Sequence, residues 1–141
     1  MSSQWLADRL ASLSSRDSAA DNSEAGKYLG TWKQVAVIVD GQEIQVGKST
    51  LMEVAKDGYK VTAEGRLFQR GTSKIVGEGD PRRSDIIVSE GAGAGSTIPQ
   101  ITKVTGDVLI GCQSKSGAAR PTEFTSERGS GHTLSVWIRV K

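Results

Sequence analysis

The sequence predicts an all-β fold, an antiparallel up-and-down barrel of about eight strands preceded by a short helix. Three observations predict the barrel. Asp-Gly pairs and single glycines break the chain at short, regular spacing from Lys27 onward. The stretches between the breaks are rich in β-branched residues and show the period of two expected of half-buried strands. No helical pattern separates them, so the connections are too short for the crossovers a parallel sheet needs. A meander that closes on itself also removes its exposed edges.

The chain opens differently. In "SSQWLADRLASLSS", Trp5, Leu6, Arg9, Leu10 and Leu13 fall near helical spacing, with Ser3 as the N-cap. "SRDSAADNSEAG" then reads as a flexible polar linker. The expected division is helix and linker over 1–25 and a barrel domain over 26–141.

The first strand is "GTWKQVAVIVDGQEI", which stops at the hairpin signal Asp40-Gly41. "STLMEVAKDGYKVTAEG" holds two strands around Asp57-Gly58, with Tyr59, Val61 and Ala63 alternating against Lys60, Thr62 and Glu64. "RLFQRGTSKIVG" is the fourth. Three more fall at 84–90, 97–105 and 107–113, the last two joined at Thr105-Gly106-Asp107. The eighth, "GHTLSVWIRVK", alternates Leu134, Val136, Ile138 and Val140 against Thr133, Ser135, Trp137 and Arg139.

At "GTW" a resemblance enters. Gly30 and Trp32 match the Gly-x-Trp with which lipocalin-like (calycin-type) barrels open their first strand. Arg139, near the end of the last strand, matches the basic residue that lies against the Trp ring at the closed end in that family. More closely, residues 28–141 resemble a small lipocalin-like domain recurrent in planctomycete bacteria. The matching runs are "LGTWK", "DGQEI", "DGYKV", "SDIIV", "TGDVLIGC" and above all "RPTEFTSERGSGHTLSVWIR". The resemblance implies a fold and carries no established activity with it.

Composition bounds the function. A chain of 141 residues fits one domain with a real core. Its 17 glycines against three prolines suggest tight turns rather than disorder. Eighteen basic against 16 acidic residues give +2, too weak to argue for nucleic acid or a membrane surface. Beyond the first 25 residues the basic groups do not cluster, apart from Arg82-Arg83. The lone Cys112 excludes an internal disulfide and a cysteine-rich zinc site, and with one histidine no metal or cofactor is expected. No run approaches the ~18 apolar residues of a membrane span. The N-terminus lacks a basic region followed by a continuous apolar run, so the expected address is the reducing cytoplasm.

"RPTEFTSERGSGH", Arg120 to His132, holds the only histidine of the chain. His132 could act as a general base, oriented by Glu123, Glu127 or Asp107, with Arg120 binding an anion. The alternative, which these residues favour, is a built turn that closes a barrel end. Pro121 would stiffen it, Thr122 and Thr125 would cap backbone groups, Phe124 would plug the end, and Arg120 would pair with Glu123. Cys112 shares a face with Val108 and Ile110, which suggests a buried, inward thiol. Arg66, Phe68 and Arg70 alternate on one strand. Inward, the arginines would hold a polar head; outward, they would form a solvated face. Tyr59, Trp137 and Met52 are candidates for cavity lining or for ordinary core. Neither "EGAGAGS" nor "VGKST" at 46–50 has the spacing of a phosphate loop, and the former reads as a mobile lid.

The expected function is binding of a small apolar or amphipathic molecule in the barrel, as carrier or sensor. Its expected contacts are Tyr59, Arg66, Phe68, Cys112, Glu123 and Trp137. One alternative is an enzyme in the same cavity, cyclising or isomerising an unsaturated or carbonyl substrate largely by orientation. The other is a filled barrel that meets a second copy or a partner through residues 1–13.

Overall fold

The glycine-marked breaks become turns and the stretches between them become strands. The computed structural model describes residues 26–47, 49–77 and 79–141. The expected helix and linker lie outside the described residues. The first described element is a 3-10 turn, Gly26–Tyr28. Nine strands follow: β1 (Gly30–Val39), β2 (Gln42–Ile44), β3 (Thr50–Ala55), β4 (Gly58–Ala63), β5 (Arg66–Ile75), β6 (Arg82–Gly91), β7 (Thr97–Thr105), β8 (Val108–Gln113) and β9 (Thr133–Arg139).

From β3 to β9 each strand pairs antiparallel with the next, and β1 pairs with both β3 and β9. These eight strands close the up-and-down barrel. The three-residue β2 is an appendage. The near half of β1, Gly30 to Lys33, pairs with β3, while its far half, Val37 to Val39, pairs with β2. Ladder irregularities at Gln34/Ala36, Val61/Thr62 and Arg70/Gly71 give the wall the local bends that closure requires. The Asp40-Gly41 turn has φ of 50° and 82°, the positive pair of a two-residue hairpin. A Cβ at Gly41 would lie 2.6 Å from the Arg128 nitrogen, so only glycine fits there.

Two apolar cores sit on opposite sides of the β7–β8–β9–β1 wall. The inner one contains Tyr28, Trp32, Val61, Leu109 and Trp137. The outer one contains Ile101, Val108, Ile110, Cys112, Leu134 and Val136. Alternate residues of a strand point to opposite faces, so Leu109 and Trp137 look in while their neighbours look out. The long connection 114–132 crosses over this outer face and packs Phe124 on it. Covering both faces explains why Val108, Leu109, Ile110 and Cys112 are all at most 5% exposed.

One end is tied by Trp32, whose ring nitrogen donates to the Tyr28 carbonyl at 2.9 Å. The Arg139 guanidinium carbon lies 4.2 Å from the centre of the Trp32 ring. Arg139 also donates to the Leu29 and Lys27 carbonyls at 2.7 and 2.8 Å and pairs with Asp107 at 3.3 Å. The first strand, last strand and 3-10 turn are thereby joined at one point.

Candidate functional site

The barrel encloses a cavity of about 510 Å³. Its wall divides by chemistry. β3 and β4 contribute Met52, Val54, Tyr59 and Val61, and β8 and β9 add Leu109 and Trp137. On the side of the barrel across from β3, β6 sends in Arg82, Ser84 and Ile86 and β7 sends in Gln100 and Thr102, while β5, β8 and β9 add Gln69, Gln113 and Ser135. Register places Arg82 beside Thr102 and Ser84 beside Gln100. The arc at β3 and β4 is therefore largely apolar and the facing arc at β6 and β7 largely polar. The exposed lining residues are Ala55, Lys56, Asp57, Thr72 and Ser73, so the mouth opens at the β3–β4 turn and β5.

The polar arc is preorganised. The Gln100 amide donates to the Ser84 hydroxyl at 2.9 Å, and the Thr102 hydroxyl donates to the Tyr28 phenol oxygen at 3.0 Å. Tyr59 donates to the Gln69 carbonyl oxygen at 2.8 Å, and the Gln69 amide donates to the Ala92 carbonyl at 2.8 Å. Burial pushes the Tyr59 phenol up to about 12, so it stays a neutral donor at physiological pH. Arg82 stacks over the Tyr28 ring, 4.3 Å from its centre.

Of the residues the sequence suggested, Tyr59, Trp137 and Met52 line the cavity. Arg66, Phe68, Cys112 and Glu123 do not. Gln69 lines the cavity, so its neighbours Phe68 and Arg70 project outward, and Arg70 pairs with Glu90 at 3.2 Å; Arg66 lies beyond the ladder irregularity at Val61/Thr62, where alternation is broken, and is exposed. Phe68 is 51% exposed. Cys112 does share a face with Val108 and Ile110, but that face is the outside of the wall, under segment 114–132. Its thiol donates to the Thr125 carbonyl at 3.2 Å, and burial raises its pKa. A protonated, enclosed thiol is no nucleophile.

The Arg120–His132 run is the cover of that outer face. Arg120 donates to the Ser84 and Gln100 carbonyls and pairs with Asp85 at 2.6 Å, rather than with Glu123. Glu123 and Glu127 are exposed. Asp107 sits in the turn between β7 and β8, engaged by Arg139 and Lys141. The His132 carbonyl accepts from the Ser126 hydroxyl at 2.7 Å and from the Asp40 nitrogen, while its imidazole has no hydrogen bond among the described residues. No acid–base set is assembled here. Phe124 caps the outer core and not a barrel end.

The expected glycine lid is a compact turn. Ala92 donates to Phe68 O, Gly95 to Val88 O and Ser96 to Gly93 O, each near 2.9 Å. Residues 91–95 lie outside the cavity lining. After "VGKST" comes β3, a strand where a phosphate loop would need a helix.

Sequence reasoning missed Arg82, Ser84, Gln100 and Thr102. In the sequence Arg82 shows only as half of a charged pair with Arg83, just ahead of the strand read over 84–90. Extending the Ile86–Ser84 alternation two residues back would have found it. Among the described residues no helix is long and apolar enough to cross a membrane. No family model, no curated protein and no solved structure matches the chain.

Proposed function

We propose that the barrel binds one small amphipathic molecule in its interior. The observation that carries this reading is the 510 Å³ cavity with an apolar arc facing a polar one. That volume lies within the usual range of small-molecule sites. A closed barrel of eight strands has room for one such ligand, and the resemblance to lipocalin-like domains fits that use. The polar groups of the inner wall are hydroxyls, amides, phenols and one guanidinium, with Lys56 and Asp57 at the mouth, a set suited to recognition and orientation.

Gly111 provides the test. It lines the cavity, and an added Cβ would meet Thr102 Cγ2 at an ordinary 3.5 Å. Gly111→Leu therefore fills space with little strain on the wall. The full chain should bind the neutral fluorescent probe N-phenyl-1-naphthylamine, and Gly111→Leu should weaken binding about tenfold or more. Glu123→Gln, on the outer cover, should leave it unchanged. A probe that binds Gly111→Leu as tightly as the natural chain would refute the reading.

A further inference from the structure

We infer that the ligand carries a monoanionic head, a carboxylate on an apolar body, and that Arg82 is the residue that holds it. The inference rests on the cavity-binding reading above.

Arg82 is the cation of the inner wall and is partly buried there. Among the described residues its side chain has one partner, the face of Tyr28. The acids nearest it in sequence are engaged elsewhere, Asp80 with Lys103 and Asp85 with Arg120, and Asp57, the acid among the lining residues, is exposed at the mouth. An arginine partly removed from water without a carboxylate has an incomplete set of partners. The Tyr28 ring shields one face of the guanidinium and holds it flat. Its N–H edge remains for a planar, two-oxygen acceptor, and a carboxylate matches that fork geometry.

The neighbours fit the same head. Thr102 lies directly across from Arg82 in the ladder, and its hydroxyl is held by Tyr28. Gln100 and Ser84, one pair further in, bond each other and continue the polar arc. The body of the ligand would then lie along Met52, Val54, Val61 and Leu109. One fixed guanidinium neutralises one charge. A doubly charged phosphate would leave a charge over, with only the exposed Lys56 at the mouth to meet it.

Decanoate and decan-1-ol share a chain and differ in the head, so they separate the two claims. Displacement of N-phenyl-1-naphthylamine from the full chain, near neutral pH and at low salt, measures both. Decanoate should bind about tenfold tighter than decan-1-ol or better, with the preference shrinking as salt rises. Arg82→Met should remove that preference by weakening decanoate alone. Arg82→Lys, which keeps the charge but not the planar fork, should retain only part of it. Equal binding of acid and alcohol to the natural chain would overturn the head assignment without needing any variant, and leave cavity binding standing. If neither compound nor the probe binds, cavity binding itself fails, and the head assignment fails with it.

Discussion

Replacing Arg120 by alanine distinguishes a catalytic loop from a structural cover. Arg120 reaches from segment 114–132 to three acceptors: the Ser84 carbonyl, the Gln100 carbonyl and the Asp85 carboxylate. The Arg120 and Asp85 side chains are 22% and 28% exposed. Water could replace part of what is lost, so the full value of three charge-assisted bonds does not apply. A hydrogen bond to a charged group contributes about 1.5–3 kcal/mol, and partial rehydration cuts the total to about 2–4 kcal/mol. For a domain of this size that is roughly 6–15 °C in Tm.

Urea and thermal unfolding of the full chain measure the loss. A cycle with Asp85→Asn isolates the ion pair, whose coupling should be about 1 kcal/mol. Because Arg120 sits on the outside of the wall, Arg120→Ala should leave probe affinity in the cavity unchanged under conditions where it stays folded. A stability loss under about 0.5 kcal/mol would refute the cover assignment. So would a loss of ligand affinity at unchanged stability.

Two further perturbations test the Trp32–Arg139 tie and the cavity wall. Arg139→Met removes the stacking on Trp32 and the bonds to Leu29 and Lys27, and should cost about 2–3 kcal/mol in urea unfolding with a changed near-ultraviolet signal from Trp32. Arg139→Lys should recover less than half, because an ammonium cannot lie flat on the ring and serve both carbonyls. Tyr59 sets an alkaline limit. Its phenol ionises at about 12 when folded against 10.0 ordinarily, so the unfolded chain loses that proton first and stability falls as pH rises from 10 towards 12. Tyr59→Phe should flatten that part of the stability profile, measured by urea unfolding across the alkaline range. An unchanged slope would show that Tyr59 is not the group responsible.

The barrel was legible because turn chemistry is local. Asp40-Gly41 and Asp57-Gly58 lie at hairpin turns, and the run Leu134 to Arg139 forms one strand as its alternation requires. Which face of each strand looks inward was not local. Leu134, Val136 and Ile138 form the more apolar face of β9, yet they point outward, and Ser135 and Trp137 line the cavity. A strand pattern records which face is apolar, not what covers it. The cover is segment 114–132, whose polar composition hid its role, since its attachment rests on Arg120, Phe124 and backbone bonds. "DVLIGC" did carry the signal. Three adjacent apolar residues without alternation, Val108 to Ile110, mark a strand buried on both faces, so Cys112 can be buried without facing the cavity.

The outer core is also what makes the polar cavity tenable. A domain of this size draws its stability chiefly from apolar burial. An interior lined by Ser84, Gln100, Thr102 and Ser135 around a 510 Å³ space gives up part of that burial. The second core, with Val108, Cys112 and Val136 at most 1% exposed, supplies it on the other side of the same wall. The outer core and the cavity thus occupy opposite faces of β7, β8 and β9. Successive residues of one strand serve different ends: Ile110 and Cys112 hold the cover, while Leu109, Gly111 and Gln113 face the cavity. Arg120 and Arg82 divide the same way. One arginine locks the cover from outside, held by the Ser84 carbonyl and the Asp85 carboxylate, and the other, stacked on Tyr28, lines the cavity.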